Sequence, residues 1–327
     1  MTHIAAIRQA ASRIKGHALV TPLLRSPFID NIAGRRVWVK AECLQITGSF
    51  KFRGGWNAVG ALTEQERTRG VLAYSSGNHA QGVANAATAH GVDATILMPE
   101  DAPAIKMSNT KALGAKVVTF DRATEDRDEA AARVDHNGSR ILIKPFDNEH
   151  VIAGQGTVGL EIAAQAAGFG IETAEVLVCC GGGGLTSGIA LALKAEAPGL
   201  KARPVEPVGF DDVARSLRSG EIEQNPSLSG SAQDAILTKS PGELTFPILK
   251  RLCAPGLTVS DEETFRAMAL AAQYLHLVIE PGGAAALAAS LFRSDQIEGD
   301  DVIVTASGGN VDTALFKHVL ETYGSSS

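Results

Sequence analysis

The chain has 327 residues, of which 45% are hydrophobic and 20% charged, and its formal net charge at pH 7 is -6. This balance is typical of a folded globular protein and excludes a disordered or collagen-like chain. Acidic and basic residues are interspersed without a basic run, so we expect no nucleic-acid partner.

Short apolar runs alternate with helical patterns through the first half of the chain. Glycine or proline follows several of these runs and marks the ends of the strands. The pattern predicts strands at 72–74, 94–98, 116–120 and 141–143, and helices at 80–87, 104–113 and 126–134. Such alternation favours a parallel sheet that is covered by helices on both faces.

The same alternation returns after residue 150. Strands are predicted at 175–180, 202–206 and 302–306, and helices at 157–167, 185–197, 211–219, 241–252, 261–276, 284–292 and 313–322. We therefore predict an α/β protein of two units that divide near residue 150.

The four cysteines do not form the CxxC spacing of a zinc or redox site. We expect them to be reduced thiols of a cytoplasmic protein. The N-terminus lacks the basic segment and apolar run of a secretory signal. No window reaches the roughly 18 consecutive apolar residues of a membrane span, so we expect no membrane partner.

Lys51 lies in the segment GSFKFRGG, residues 48–55, between two phenylalanines and near three glycines. Apolar surroundings disfavour a charged ammonium and lower a lysine's pKa. A neutral amine is what a Schiff-base lysine needs. Alone, such a lysine is more often a surface residue whose stem covers apolar neighbours, so other segments must decide.

Four glycines at 181–184 follow the apolar run 176–180 and open a predicted helix. Glycines let the backbone approach an anion, and a helix N-terminus supplies free N–H groups and positive potential. The segment lacks the Lys-Ser/Thr of a nucleotide-binding P-loop, so a single phosphate monoester fits better than a nucleoside triphosphate. A flexible turn is the alternative explanation.

Residues 154–159, GQGTVG, formally match the GxGxxG fingerprint of dinucleotide-binding proteins. The residues before them make a poor strand, and no clear βαβ unit with a ribose-binding acid follows. The match is weak evidence for a Rossmann oxidoreductase, an alternative that predicts nicotinamide binding.

Two polar loops follow predicted strands. The segment SSGNH, residues 75–79, lies between a strand and a helix, where open α/β sheets place ligand loops. Its hydroxyl, amide and backbone N–H groups can hold a carboxylate. The segment SGGN, residues 307–310, follows the last strand. For both segments a helix cap or a turn is the alternative.

The segment EPVGFDD, residues 206–212, places carboxylates on a tight loop. Hard cations bind carboxylate and backbone oxygens, so a metal site is one interpretation. A helix N-cap at Asp211 is the other.

Together and in this order, these segments resemble the fold-type II (tryptophan synthase β-like) pyridoxal-phosphate enzymes, in particular the serine/threonine dehydratase and serine racemase branch. The resemblance spans the chain from TPL at 21–23 to SGGNV at 307–311. It implies two doubly wound parallel-sheet domains. We expect a discontinuous large cofactor-binding domain of residues 1–49 and 150–327, and a small mobile substrate-binding domain of residues 50–149.

The resemblance also implies roles for residues around pyridoxal 5′-phosphate. Lys51 forms the Schiff base and later acts as the base at the substrate Cα, while Phe50 packs against the cofactor ring. Asn78 hydrogen-bonds the 3′-oxygen, and Ser307 meets the pyridine nitrogen. A neutral hydroxyl there does not hold the nitrogen protonated, which suits elimination better than transamination. The phosphate is held by the amides of Gly181, Gly182, Gly183, Gly184 and Leu185.

The substrate carboxylate is expected at Ser76, Gly77, Asn78 and His79. Ser76 also stands where racemases place a second base, on the opposite face from the lysine. Arg127 aligns with an arginine that approaches a distal carboxylate in relatives, and a solvated helix charge is the alternative for it.

The divalent-cation site of this branch aligns with Glu206, the carbonyl of Phe210, and Asp212, and its oxygen ligands favour Mg²⁺ or Ca²⁺. Phe210 departs from the small residue usual there. The segment Ser229–Asp234 departs from the Ala-Asp-Gly-like stretch that relatives carry near the cofactor.

The implied activity is that of an ammonia-lyase, or dehydratase. It converts L-threonine, L-serine or a similar β-hydroxy amino acid to a 2-oxo acid and ammonia, by Cα deprotonation and β-elimination. A serine racemase, a 3-hydroxyaspartate dehydratase and a dehydratase of hydroxyectoine degradation stay open. A non-catalytic protein that binds pyridoxal phosphate or another phosphate ligand is the alternative of a different class. A homodimer is expected. The chain ends soon after its last strand, so we expect no regulatory domain and no feedback inhibition by isoleucine.

Overall fold

The structure, a computed structural model, describes residues 2–75, 77–100, 102, 104–121, 124–125, 127–135 and 138–324, with residues 127 and 128 described by their backbone alone. Its strands are β1 (Leu23–Leu24), β2 (Arg36–Lys40), β3 (Val71–Tyr74), β4 (Ala94–Pro99), β5 (Lys116–Phe120), β6 (Ile141–Leu142), β7 (Ala174–Cys179), β8 (Leu200–Pro207), β9 (Leu257–Val259) and β10 (Asp301–Thr305).

The α-helices among these residues are α1 (Ile4–Ile14), α2 (Pro27–Ala33), α3 (Lys51–Gly60), α4 (Glu64–Arg69), α5 (Asn78–Ala89), α6 (Ala104–Ala112), α7 (Arg127–Val134), α8 (Glu149–Gly168), α9 (Gly184–Glu196), α10 (Asp212–Ser219), α11 (Phe246–Leu252), α12 (Asp261–Tyr274), α13 (Pro281–Phe292) and α14 (Thr313–Tyr323).

The strands form two sheets within the described part of the chain. One has the order β1-β2-β10-β7-β8-β9, and its neighbours are parallel except for the edge pair β1 and β2. The other has the order β5-β4-β3-β6 and is parallel throughout. The predicted α/β fold with parallel sheets is confirmed.

The carboxyl ends of the parallel strands place the polar loops. In the larger sheet, β7 leads to the glycines at 181–184 and β10 leads to Ser307. In the smaller sheet, β3 leads to the loop before α5. Ligands of open α/β sheets bind at this edge, so the two sheets each direct one set of candidate residues toward a shared site.

The strands of the smaller sheet all come from residues 71–142, which lie inside the predicted small domain. The exact division of the chain into domains stays a prediction. The described cysteines are all free thiols. Throughout the described ranges, no helix has the length and apolar character that crossing a membrane would need.

Helix α3 is held between α5 and α8 by close backbone contacts. A Cβ at Gly82 would come within 2.7 Å of the Lys51 carbonyl oxygen, and one at Gly154 within 2.5 Å of the Arg53 carbonyl oxygen. A Cβ at Gly55 would lie 2.6 Å from the carbonyl carbon of Gly82. Glycine at these positions therefore allows the helix axes to approach more closely than side chains permit.

The GxGxxG match at 154–159 lies inside α8 and is not a strand-to-helix loop. Its glycines pack against neighbouring helices: Gly156 meets α9 at Gly188, and Gly159 meets Ile189 of the same helix. The segment therefore lacks the strand–turn–helix geometry of a dinucleotide site, and it supports no nicotinamide interpretation.

We expect Gly188→Ala to destabilise the fold by about 1–3 kcal/mol, because the new methyl group overpacks a buried helix crossing. A Cβ at Gly188 would lie 2.6 Å from both the Gly156 nitrogen and the Ile152 oxygen, and backbone atoms cannot rotate away. The measurement is urea unfolding. Gly168→Ala, at the end of α8 with no atom within 4 Å of its Cβ position, is the matched control. Equal stabilities for the two variants would contradict the packing explanation.

Candidate active site

Lys51 is the first residue of α3, and the residues before it are tied to the end of β10. The Phe50 amide donates to the Ser307 carbonyl oxygen at 3.1 Å, and Ser49 forms a β-bridge with Gly308. Two elements that are distant in sequence therefore fix the position from which the lysine side chain extends.

The amine of Lys51 donates to the carbonyl oxygen of Pro145 at 2.8 Å and lies 5.2 Å from the centre of the Phe50 ring. Burial lowers the pKa of Lys51 to about 8, and the negative charge of Glu280 limits the fall. Phe52 does not line this space, because it stacks on Trp56 in the core around the smaller sheet. The lowering of the lysine pKa thus comes from burial, and Phe50 is the phenylalanine whose ring lies beside the amine.

The glycine loop at 181–184 ends at the N-terminus of α9. Gly183 has a left-handed φ of +89° and is the N-cap residue, with no side-chain hydrogen bond at the cap. The first-turn N–H groups of α9 therefore have no side-chain acceptor, which is the arrangement that binds anions. The hydroxyl of Thr186 beside them is buried and has no hydrogen-bond partner.

Phe146 covers the glycine loop from the side of Lys51. A Cβ at Gly182 would overlap the Phe146 ring, and one at Gly184 would lie 3.0 Å from the Phe146 Cα. Phe146 directly follows the proline whose carbonyl accepts from Lys51. The lysine amine and the N-terminal end of α9 therefore both adjoin the segment of Pro145 and Phe146.

Asn78 and Ser307 meet beside Gly308. The side chain of Asn78, the first residue of α5, donates through Nδ2 to Glu280 Oε1 and accepts through Oδ1 from Asn310 Nδ2 at 2.8 Å. Ser307 is buried, and its amide donates to the Gly283 carbonyl at 3.2 Å. A Cβ at Gly308 would lie 3.1 Å from Asn78 Nδ2, so both sheets contribute polar groups to one site.

The ring of His79 is engaged with backbone. Its Nε2 lies 2.8 Å from the carbonyl oxygen of Ile143, which can only accept, so Nε2 carries the proton and donates. Burial and the nearby charge of Lys51 lower the pKa of His79 to about 3, so the ring is neutral. Its Nδ1 is buried without a partner.

The roles assigned to Gly77 and His79 in holding a carboxylate stay predictions. Gly77 is the N-cap residue of α5, again without a side-chain hydrogen bond at the cap. Ser76 and the side chain of Arg127 lie outside the described residues.

Two charged residues of the site were missed by the sequence analysis. Glu280 is buried between Asn78 and Lys106, and Lys106 Nζ lies 3.0 Å from Asp234 Oδ2 and 3.8 Å from Glu280 Oε2. A signal existed for Glu280, which is the only charged residue in the otherwise apolar stretch 277–292. Lys106 lies in a mixed helical pattern that gave no such signal.

The acidic loop at 206–212 is buried around two carboxylates. Glu206 accepts from the amides of Val213 and Ala214 at 2.8 and 2.7 Å, and so caps α10 in place of Asp211. Burial raises the pKa of Asp212 to about 7, and its Oδ2 has no hydrogen-bond partner. Burial, and then the charge of Asp212, raise the pKa of Glu206 well above its usual value. No group of three or more His, Cys, Asp or Glu side chains with metal-binding geometry occurs in the described ranges.

A family model described as pyridoxal-phosphate dependent enzyme matches residues 14–308 of the chain. The chain belongs to the pyridoxal-phosphate-dependent enzymes. The match covers every segment from which the resemblance was inferred except the last residues of the SGGNV run, and the prediction of a fold-type II enzyme is confirmed.

Individual pyridoxal-phosphate enzymes show the same similarity. L-threo-3-hydroxyaspartate ammonia-lyase of Saccharomyces cerevisiae is 39% identical over 306 residues, which cover 94% of this chain and 92% of that protein. Serine racemase of Oryza sativa subsp. indica is 39% identical over 317 residues, covering 95% and 92%. The crystal structure of a T.th. threonine deaminase has a TM-score of 0.88 and 42% identity, covering 95% of this chain and 99% of that one.

The residues of this chain fit pyridoxal phosphate. The site holds a lysine with a lowered pKa, a helix N-terminus without a side-chain acceptor, and the unpartnered hydroxyl of Thr186 next to it. The lysine matches the aldehyde carbon of the cofactor, and the helix N-terminus and the hydroxyl match its phosphate. The fit therefore rests on orphaned polar groups as well as on family membership.

Proposed function

We propose that this enzyme is an ammonia-lyase for a β-hydroxy amino acid such as L-threonine or L-serine. The observation that supports this most is the Lys51 amine, whose pKa is lowered to about 8 and which binds the Pro145 carbonyl next to Phe146, the residue that packs on the glycine loop before α9. Near neutral pH a useful fraction of such an amine is neutral, so it can act both as nucleophile and as base.

In this proposal the cofactor is held at three places. The amides from Gly181 to Leu185 would bind its phosphate, with the Thr186 hydroxyl beside them. Asn78 would donate to the ring oxygen, and Ser307 would contact the ring nitrogen. Bound pyridoxal phosphate supplies an electron-withdrawing ring that stabilises negative charge at the substrate Cα.

Lys51 would move the decisive proton. With pyridoxal phosphate and substrate bound, its amine would accept the proton from the substrate Cα. The β-hydroxyl would leave together with that proton as water, and addition of water to the remaining product would give a 2-oxo acid and ammonia. The neutral hydroxyl of Ser307 would favour this outcome over transamination, because it would not keep the ring nitrogen protonated.

Two relatives suggest alternatives to this proposal, one a different substrate and the other a different reaction. The yeast relative acts on L-threo-3-hydroxyaspartate and the rice relative is a serine racemase, both at 39% identity. Arg127 would meet the distal carboxylate of hydroxyaspartate, and Ser76 would act as the second base of a racemase. We rank these behind the threonine and serine ammonia-lyase activity.

The test is a panel of L-threonine, L-serine, D-serine and L-threo-3-hydroxyaspartate, each assayed for 2-oxo acid and for inversion at Cα. We expect 2-oxo acid from L-threonine or L-serine at a rate that exceeds any inversion. If 2-oxo acid is released only from hydroxyaspartate, the proposed substrate becomes hydroxyaspartate. Inversion without 2-oxo acid would replace the lyase by a racemase, and inactivity on the whole panel would contradict the proposal.

We also propose that Glu206, Asp212 and the Phe210 carbonyl bind Mg²⁺ or Ca²⁺. The buried, unpartnered Asp212 Oδ2 and the raised pKa of both carboxyls support this, because a cation would stabilise their charged forms. Repeating the panel with added Mg²⁺ and with a chelator tests the site. Unchanged activity and thermal stability after chelation would argue against it.

A homodimer in the cytoplasm remains part of the proposal. Two exposed apolar side chains near Gly309, those of Leu44 and Val278, support a second copy as partner. Val278 approaches Gly309 directly, and Leu44 follows Cys43, whose Cβ also approaches this glycine. Sedimentation measurements on the purified protein would establish its assembly state.

A further inference from the structure

The side-chain amide of Asn78 is held by a chain of hydrogen bonds that starts at a backbone carbonyl. Asn310 Nδ2 donates to the Thr47 carbonyl oxygen at 2.9 Å and to Asn78 Oδ1 at 2.8 Å. A carbonyl oxygen can only accept, so the atom of Asn310 that faces Thr47 must be its nitrogen. The same nitrogen faces Asn78, which must therefore present its oxygen to Asn310.

The other end of the Asn78 amide points to Glu280. Because the Asn78 oxygen is turned to Asn310, its nitrogen is the atom that faces Glu280 Oε1, and it donates there. An Nδ2 group has two hydrogens, and this contact uses one of them. Among the described residues, the contact with Glu280 is the one hydrogen bond that Asn78 Nδ2 donates, so its second hydrogen is free for another acceptor.

Glu280, which accepts this hydrogen bond, lies among both positive and negative groups. It is buried, and its Oε2 has no hydrogen-bond partner. Lys106 Nζ lies 3.8 Å from that oxygen and is itself bound to Asp234. Burial raises the pKa of Glu280, Asp234 raises it further, and the charges of Lys106 and Lys51 and the Asn78 hydrogen bond oppose the rise. On balance the pKa of Glu280 is raised, and Oε1 can accept from Asn78 in either protonation state, because a proton on the carboxyl group can be carried by Oε2.

We propose that Asn310 and Glu280 are positioning residues that hold the Asn78 amide with its nitrogen toward the cofactor ring. The assignment rests on the proposed function only in taking the ring oxygen as the acceptor of the second Nδ2 hydrogen. It makes Asn310 and Glu280 determinants of cofactor binding, although neither is required to touch the cofactor. It predicts a different ranking of variants by cofactor affinity from the ranking that a role in packing alone predicts.

The test compares Asn310→Asp with Asn310→Ala in the purified holoenzyme. The readouts are the dissociation constant of pyridoxal phosphate and the visible absorbance of the bound cofactor. Asp has the shape of Asn but only acceptors, so it repels the Thr47 carbonyl and turns the Asn78 amide around. We expect the aspartate variant to bind cofactor about tenfold more weakly than the alanine variant. A tenfold change in the dissociation constant corresponds to the contribution of about one hydrogen bond.

A second pair of variants, at Glu280, tests the proposal if the Asn310→Asp variant does not fold. Glu280→Gln retains an oxygen that accepts from Asn78, so its visible absorbance should stay close to that of the wild type. Glu280→Ala removes the acceptor, so its absorbance should change and its cofactor affinity fall about tenfold. Glu263→Ala, which removes an ion pair with Arg293 far from the site, is the control and should leave the spectrum unchanged.

A role in packing alone predicts the opposite order, with Asn310→Asp milder than Asn310→Ala. That order, or a Glu280→Ala variant with wild-type affinity and spectrum, would overturn the proposal. Cofactor affinity and absorbance are measured without an amino-acid substrate. A protein that binds cofactor but acts on no β-hydroxy amino acid would therefore overturn the proposed substrate and leave this comparison valid.

Discussion

Lys51→Ala is expected to lower turnover by roughly a thousandfold or more, because one residue supplies both the covalent link to the cofactor and the base at Cα. The fold should survive, since the amine makes one hydrogen bond, to the Pro145 carbonyl, and its burial disfavours the charged form. The measurements are 2-oxo acid release, the visible absorbance of bound cofactor, and thermal unfolding.

Lys51→Arg is the informative companion to this variant. It keeps a positive charge and a long side chain, but a guanidinium stays protonated and cannot form the link. We expect it to be as inactive as the alanine variant. Substantial activity in either variant, with the visible band retained, would show that another amine serves the site and would remove Lys51 from its central role.

The lowered pKa of Lys51 also predicts a pH dependence. Only the neutral amine attacks the cofactor aldehyde, and the pKa of that amine is about 8 rather than its ordinary 10.5. The rate at which cofactor-free protein captures pyridoxal phosphate should therefore rise with pH and level off above about 8. Stopped-flow absorbance measures this rate, and continued increase toward pH 10 would indicate an unperturbed lysine.

Arg53→Ala is expected to destabilise the protein by about 3–5 kcal/mol, the usual cost of removing one partner of a buried ion pair. Arg53 is fully buried and donates to both oxygens of Glu42, which is also fully buried, and to both oxygens of Glu161. Its loss leaves Glu42 with the Thr21 hydroxyl as its remaining side-chain donor. Urea unfolding gives the change in the free energy of unfolding.

The surface pair of Arg8 and Glu196 provides the control. Its side chains are 61% and 34% exposed, so Arg8→Ala should cost under about 1 kcal/mol. A loss for Arg53→Ala no larger than this would mean that the buried network contributes nothing beyond a surface contact. The network also has a pH signature: burial alone would raise the pKa of Glu42, but Arg53 holds it below its usual value. Its contribution is therefore complete above the unfolded pKa and lost as the pH falls.

The fold was predicted where local pattern determines local structure. The predicted strand at 116–120 coincides with β5, and the strand at 175–180 is displaced from β7 by one residue. The helix predicted at 157–167 in fact begins at Glu149. Its glycines pack closely against α3 and α9, and this packing stabilises a helix where glycine alone would disfavour one. This stabilisation comes from segments that are distant in sequence, so a local pattern does not predict it.

Other differences have the same origin. The helix predicted at 241–252 begins at Phe246, because Gly242 and Leu244 are drawn to Thr245 and Asp147 by hydrogen bonds that a helix would break. The elements before residue 71 and the short strand β9 were not predicted. Of these, the strands β1, β2 and β9 have only two, five and three residues, and pairing within the larger sheet stabilises them.

The site followed a similar division. Lys51, Asn78, the glycine loop and Ser307 were predicted as site residues from their motifs, because glycines and polar residues at strand ends carry a local signal. The partners that orient them were not recognised. Asn78 and Glu280 are separated by 202 positions in the sequence, and the contact between them depends on how α5 approaches α13. Such pairs become visible only when the chain is folded.

The glycine contacts of α3 have a consequence for changing the enzyme's selectivity. The helix that starts with Lys51 touches α5, which starts with Asn78, backbone against backbone at Gly55 and Gly82. These backbone contacts therefore fix the position of the amine relative to the amide. Laboratory evolution of a new substrate range should leave these glycines untouched. It should draw its diversity from segments outside α3 and α5, such as residues 229–232.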